Sequence, residues 1–417
     1  MHHFRAWGYF FDLFWCQHVK IHYEINHRWE KRCHDRGNNA NHRGRLTIVL
    51  YYYYDYNNYS FLVSPILFLF FLLLFISIFL LLLRCMINLH LITFTADRQL
   101  KQAQTVPGHA SSVLKLVASL TGTGEGPVRQ AAAVHFKNVI KKGWAPEPPI
   151  DGEEDVDTSE GIRMDAAERS VIKEHLVELM CTSPGQIQKQ LSEAIALIAK
   201  TDYHLQWESL LPSLVRQFEA ADMHTIIGVL ETANSVFKMF RYVERSDPLY
   251  VMIKYTLSNV SRPLTVLMQR LGNAMTTPEI QQNKVVLSQH MYAIRLIFRI
   301  AYSLNYQDLP EEFEDDMGTW MAEFAKYLQV GIFPTLEDPN EDEQPSDLDK
   351  VQAAIVDVLR IYADKDEEDF LQHYLGQSTM LVWNRLMSLT DRPKHDVLAT
   401  KSIRYLASLV VKTMHRQ

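Results

Sequence analysis

The chain has 417 residues, 47% of them hydrophobic and 22% charged, with a formal net charge of −7. Residues 1–95 hold nine Lys/Arg and five Asp/Glu, which leaves residues 96–417 at about −11. So acidic a body argues against sequence-independent nucleic-acid binding, which needs a basic face, and suits basic protein partners better, while a single cysteine there, Cys181, excludes a disulfide framework within it.

The first 95 residues differ in character from the rest. They are rich in His, Tyr and Phe and nearly devoid of Ala. Cys16 and Cys33 lie among His18, His22, His27 and His34, but their spacing fits no zinc pattern, so no metal or other cofactor is expected. Phe61–Leu83 contains no charged residue and is mostly Leu, Phe and Ile. As a helix it would cross a hydrocarbon core of ~30 Å, and it lacks the polar face of a surface helix. It begins too far into the chain for a signal peptide. Two origins fit this segment. One is a transmembrane anchor. The other is translated non-coding sequence joined to a downstream exon, which low-complexity runs such as Tyr51–Tyr54 favour. The flanking arginines, Arg43 and Arg45 against Arg84 and Arg98, set no topology.

From Ala96 onward, apolar residues recur at helical spacing with no strand-like alternation. Val128, Ala132, Phe136 and Val139 form one stripe, and Ile187, Leu191, Ala194 and Ile198 another. Met291, Ile294, Phe298 and Ala301 follow, then Val351, Ile355, Val358 and Tyr362, then Ile403, Leu406 and Val410. Trp144, Trp207, Trp320 and Trp383 fall on such stripes or at helix ends, where packing is the default expectation. Turn and helix-start chemistry separates the helices at 122–127, 144–158, 183–185, 247–248, 307–310, 335–346 and 391–394. The expected helix pairs are 100–122, 127–181, 185–220, 222–275, 285–330 and 347–390, with a half pair from 394 onward. An irregular period near 40–47 residues points to an α-solenoid of HEAT-type pairs. The expected fold class is therefore an all-α solenoid, preceded by a segment with one helix of membrane-spanning length. The last stripe has no second helix to cover it and predicts exposed apolar surface.

Catalytic signatures are missing. The glycine-rich Gly122–Gly126 joins two helices rather than a strand and a helix, so it is an interhelical turn and no phosphate loop. Neither a nucleophile elbow nor a zinc-protease helix occurs, and no enzyme is expected. Glu311, Glu312, Glu314, Asp315 and Asp316 cluster after Pro310. Negative charge is favoured at a helix start, and the cluster also suits docking of a basic partner.

Several stretches resemble the importin-β (karyopherin) family. Val128–Trp144 is similar to a helix of that family's N-terminal domain in its Arg129, Phe136, Lys137, Asn138 and closing Trp144, which are expected to be structural. Gln188–Ile195, Trp207 with Leu210–Leu214, Gly228–Ala233 and above all Tyr302–Trp320 resemble the exportin-2 branch, the importin-α re-exporters. The resemblance implies three parts: an atypical segment 1–95, importin-β N-terminal-like pairs over 96–182, and an exportin-2-like array over 183–417. It implies a nuclear transport receptor that binds the GTPase Ran in its GTP form together with importin-α. Such a receptor meets nuclear pore proteins, shuttles between nucleus and cytoplasm, binds no nucleic acid, and could touch a membrane only through 61–83. The family opens with a short helix where residues 1–95 stand here, and continues well beyond Gln417, so binding is expected to be incomplete. In the family the second helices of the first three pairs hold the GTPase. With the pairing given above, these are 111–120, 166–180 and 210–218, and their polar members Lys115, Lys173, Glu174 and Arg216 are the candidates. A membrane-tethered helical scaffold is the alternative.

Overall fold

The computed structural model describes residues 79, 94–145, 164–336 and 340–415, with side chains as far as Val411. Asp97–Gln417 form one compact unit, distinct from Met1–Ala96, and the architecture below is that of this unit. After a polar helical stretch over 94–104 come α1 (His109–Ser119), α2 (Gly126–Gly143), α3 (Ala166–Thr182), α4 (Gly185–Asp202), α5 (Leu210–Arg216), α6 (Met223–Phe237) and α7 (Asp247–Ala274). Then follow α8 (Pro278–Gln282), α9 (Lys284–Leu304), α10 (Glu311–Asp315), α11 (Met317–Tyr327), α12 (Asp347–Asp364), α13 (Leu375–Ser388) and α14 (Asp396–His415). Among the described residues there is no strand.

Local sequence chemistry starts these helices where the chain needs them. Asp165, Asp222, Asn283 and Ser346 each accept a hydrogen bond from a first-turn N–H of α3, α6, α9 and α12. Such caps contribute on the order of 1 kcal/mol each. Pro248 and Pro278 occupy first-turn positions in α7 and α8, where a missing N–H costs nothing.

The helices pack in two layers. The second layer is a continuous ladder, α2 on α4, α4 on α6, α6 on α9, α9 on α12 and α12 on α14. The first layer, α1, α3, α5, α7, α10 with α11, and α13, is joined by slighter contacts. The core lies between the layers. Met291, Ile294, Phe298 and Ala301 of α9 are wholly buried, as are Val351, Ile355 and Val358 of α12. Phe298 meets Trp320, Phe324 and Tyr327 with ring centroids 6.2, 5.0 and 5.9 Å away. Gly228 lets α6 approach α4 closely, for a Cβ there would sit 2.2 Å from the Gln188 side chain.

Pairing differs from expectation. The helices that face each other as hairpins are α1–α2, α3–α4, α7–α9 and α13–α14, whereas α2–α3, α4–α5 and α6–α7, which the sequence breaks suggested as pairs, pack only slightly on one another. Trp144, Trp207 and Trp320 are buried, but Trp383 is 49% exposed. The last stripe is uncovered, as expected. α14 buries Leu398, Ser402 and Tyr405, and leaves Ile403 and Val410 exposed.

The expected membrane-spanning helix is corrected. Among the described residues no helix is long and apolar enough to cross a membrane. The stretch 94–104 that opens the described array carries Asp97, Arg98 and Lys101, with an Asp97–Lys101 ion pair at 2.9 Å, and charge of this density does not enter hydrocarbon. Phe61–Leu83, apart from Phe79, lies outside the described residues, as do Cys16 and Cys33 and the histidines near them. The described residues form an all-α solenoid in which no helix spans a membrane.

Candidate partner-binding surfaces

The residues of the Arg129–Trp144 motif hold the first pairs together. Arg129 is buried, and its Nε donates to the Val117 carbonyl at 2.7 Å while Nη2 donates to Ser183 Oγ at 3.3 Å. One guanidinium thus satisfies the end of α1 and the end of α3. Phe136 is fully buried, Asn138 is exposed, and Lys137 pairs with Glu193 of α4 at 2.9 Å. Trp144 is buried beneath two cations, with Arg169 4.9 Å and Lys173 5.5 Å from its ring.

Three of the four candidate GTPase contacts come together. Lys173, Glu174 and Arg216 line a cleft of 570 Å³ between α3, the turn after α4, and α5. Lys115 stands apart, exposed on α1. Lys173 is engaged internally. Its ammonium pairs with Asp202 Oδ2 at 2.6 Å and donates to the Gln206 carbonyl at 2.9 Å. Burial alone would raise the Asp202 carboxyl, but hydrogen bonds from Lys173, Thr201 and Trp144 and the Lys173 charge hold it below the usual carboxylate range. The position of all four also changes. α1 and α3 are the first helices of their hairpins and α5 packs with α3 and α7 in the same layer, so these residues lie on the first layer, and their assignment to second helices is corrected.

The second layer carries surfaces that reading the sequence alone did not single out. α2 has Arg129, Lys137, Lys141 and Lys142 and no acidic residue, and α9 has Lys284, Arg295 and Arg299 and none. A cleft of 570 Å³ crosses α2, α4 and the end of α6, where Lys137, Lys141, Lys200 and Lys238 surround Leu197, Met239 and Tyr242. These residues are about a hundred positions apart in sequence, and only the stacking of second helices gathers them. The spacing of α2 alone, with Lys137 and Lys141 one turn apart, was the visible signal.

The acidic cluster is a helix start. Glu311, Glu312 and Glu314 occupy the first turn of the five-residue α10, where the dipole favours them. Phe313 between them is buried against Trp320, ring centroids 5.2 Å apart. Burial first, then Glu367, Glu311, Asp315 and Asp308, raises the Glu314 carboxyl above its usual value. Glu311 and Asp315 are exposed and Asp316 half-buried, with no basic group paired to the cluster among the described hydrogen bonds and ion pairs. Burial likewise pushes the Cys181 thiol up to about 11, which keeps it a poor nucleophile. Among the described residues no group of three or more His, Cys, Asp and Glu could hold a metal.

Two family models match the chain, the importin-β N-terminal domain over residues 96–182 and the Cse1 domain over residues 236–417. Exportin-2 of Danio rerio is 36% identical over 311 residues, and exportin-2 of Homo sapiens 34% over 311. In each case the match covers 74% of this chain, which spans about 30% of the relative's length. The solved exportin Cse1 in its cargo-free, cytoplasmic state aligns with a TM-score of 0.65 at 32% identity, covering 75% of this chain and 32% of that one. A bidirectional nuclear transport receptor of S. cerevisiae shares the fold with a TM-score of 0.58 at 15% identity, covering 76% of this chain and 30% of that one.

Proposed function

Since the chain belongs to the exportin-2/Cse1-like family of nuclear transport receptors, we propose that its helical array binds Ran in the GTP form and, with it, importin-α as export cargo. The observation that carries this reading is the likeness to exportin-2 over 311 residues, 74% of the chain, beside the two family models over 96–182 and 236–417. The reading is of a receptor that makes and breaks no covalent bond. Nucleotide state is sensed by surface fit alone, so the receptor supplies differential affinity and the GTPase supplies the irreversible step.

Within the array the GTPase docks along the second layer of the first three pairs. Helices that lie closer together form the inner side of a bent stack, and the inner face of a solenoid is its extended binding surface. The Lys137, Lys141, Lys200 and Lys238 cleft lies on this side, and positive charge there steers an acidic surface onto it. The Lys173–Arg216 cleft and the acidic α10 cluster remain candidate contacts of the opposite layer, the latter for a basic partner. The working cycle places the protein in nucleus and cytoplasm, with passing contacts to pore proteins.

A pull-down of the full chain on immobilised Ran tests the reading. Retention is expected on Ran loaded with GTP, weak on Ran loaded with GDP, and stronger on the GTP form when importin-α is added. Equal retention on both nucleotide forms, or on neither, counts against it.

A further inference from the structure

A second cleft of 420 Å³ lies further along the second layer, between the turn after α6, α9, α12 and α14. Arg241, Arg295, Arg299 and Lys401 reach it, with Tyr302 and Leu398 in its wall. Its negative charges are already spent. Asp357 is ion-paired with Lys401. Asp349, 2% exposed, is bonded to Arg385 at 2.9 Å and to His395 at 3.2 Å. Lys350 is taken by Asp347 at 2.9 Å. None of the three arginines is bonded to a carboxylate among the described hydrogen bonds and ion pairs.

Arg241 is fixed in place. Its Nε and Nη2 donate to Ser303 Oγ at 2.9 and 2.7 Å, Nη2 donates also to the Arg299 carbonyl at 3.1 Å, and the guanidinium lies 4.7 Å from the Tyr302 ring centroid. Arg295 and Arg299 are half-buried, and the side chain of neither has a hydrogen-bond or ion-pair partner among the described residues. They stand four residues apart on one helix, an arrangement of like charges that costs stability. Burial lowers both Arg241 and Arg295 and the Arg299 charge lowers them further, with Tyr302, Tyr242 and Asp357 opposing at Arg241 and Tyr292 and Asp347 at Arg295. Two guanidinium forks with no bonded carboxylate, beside a third held by Ser303, match the geometry of carboxylates.

We propose that this cleft binds an acidic peptide segment of a protein partner, its carboxylates held by Arg241, Arg295 and Arg299 and an apolar side chain seated against Leu398 and Val397. The apolar wall and the confined volume favour a peptide over a nucleic acid. The site is independent of the GTPase reading, since it uses neither the first three pairs nor nucleotide state.

The test is fluorescence anisotropy with the full chain and a labelled twelve-residue peptide of alternating Glu and Leu. The expected result is saturable binding that weakens with salt and falls at least about tenfold in the Arg295→Gln/Arg299→Gln variant. The melting temperature of that variant should stay level or rise, because a like-charge pair has been removed. The surface variant Lys254→Gln/Arg262→Gln, with the same change in net charge, should bind as the unmodified chain does. No binding by the unmodified chain, equal binding by the cleft variant, or an equal loss in the surface variant overturns the proposal. So does a single-stranded oligonucleotide of equal charge, or inorganic phosphate at equal concentration, that binds as tightly as the peptide. A marked fall in melting temperature would assign the two arginines a structural role and overturn it as well.

Discussion

The two layers of this array solve different problems with the same helical material. Second-layer helices touch along their length and bury long aliphatic stripes, so each supports the next, and their open side is left free to carry lysines and arginines. First-layer helices touch each other little and are held also by single polar locks, such as Lys173 on Asp202, Arg270 on the Phe218 carbonyl and Arg385 on Asp349. Continuity is therefore a property of one layer and attachment of the other. Charge that would be costly in the interior is collected where continuity has already been secured by apolar contact.

The strongest way to break this contrast is to empty the ladder at its centre. Phe298→Ala removes a fully buried ring that meets three other aromatics. It should cost about 3–5 kcal/mol, read as a shift in the urea midpoint. Removing one lock should cost less. Asp202→Ala leaves the Lys173 ammonium partly buried and unpaired, for a loss of about 2 kcal/mol near neutral pH. The sign with pH is fixed by the depressed Asp202 carboxyl. Its contribution is full above the ordinary carboxylate value and is lost as pH falls through the folded value, so the two proteins should converge in stability on strong acidification.

Binding gives the next test. Lys137→Gln/Lys141→Gln, on the second layer, should lower retention on Ran-GTP about five- to tenfold. Lys115→Gln/Arg216→Gln, on the first, should leave it unchanged. The reverse pattern would return the GTPase to the first layer.

A smaller effect concerns the end of α12. Burial pushes the Lys365 amine down to about 8, Asp308 opposing and Arg245 adding to the shift, and its Nζ is buried without a hydrogen-bond partner. A lysine lowered on folding destabilises most where both states are protonated, below pH 8, and least once both are neutral. Lys365→Met should therefore raise the melting temperature by a few degrees at pH 7, with the gain shrinking as pH climbs toward about 10.4. Lys115→Ala, exposed on α1, should change stability by no more than about 0.5 kcal/mol.

The helices were legible because burial writes its period into the sequence. The stripes of α4, α9 and α12 are buried throughout. Their phase was harder to read, because a break inside a pair and a break between pairs use the same Pro, Gly and acidic residues. Connection length held the answer. The two-residue turn Ser183–Pro184 closes the α3–α4 hairpin, whereas the long stretch after Trp144 leads from one pair to the next. Reading that phase one helix late placed Lys115, Lys173, Glu174 and Arg216 on second helices. The stripe of α14 was legible as a face without a cover, because no further helical period follows it, and Ile403 and Val410 are exposed as expected. The arginine cleft was invisible because Arg241, Arg299 and Lys401 are separated by dozens of residues, and each alone is an ordinary surface charge.

The unequal closeness of the two layers has a mechanical consequence. A stack whose helices already touch along one side resists shortening there, while the sparser side can open or close without losing many contacts. Such a body flexes like a hinged strip with a stiff chord, the second helices keeping their spacing while gaps among the first helices widen or narrow. The separation of distant surfaces on the array can then change through small tilts summed over its five joints, with no joint unfolding and no helix changing its neighbours.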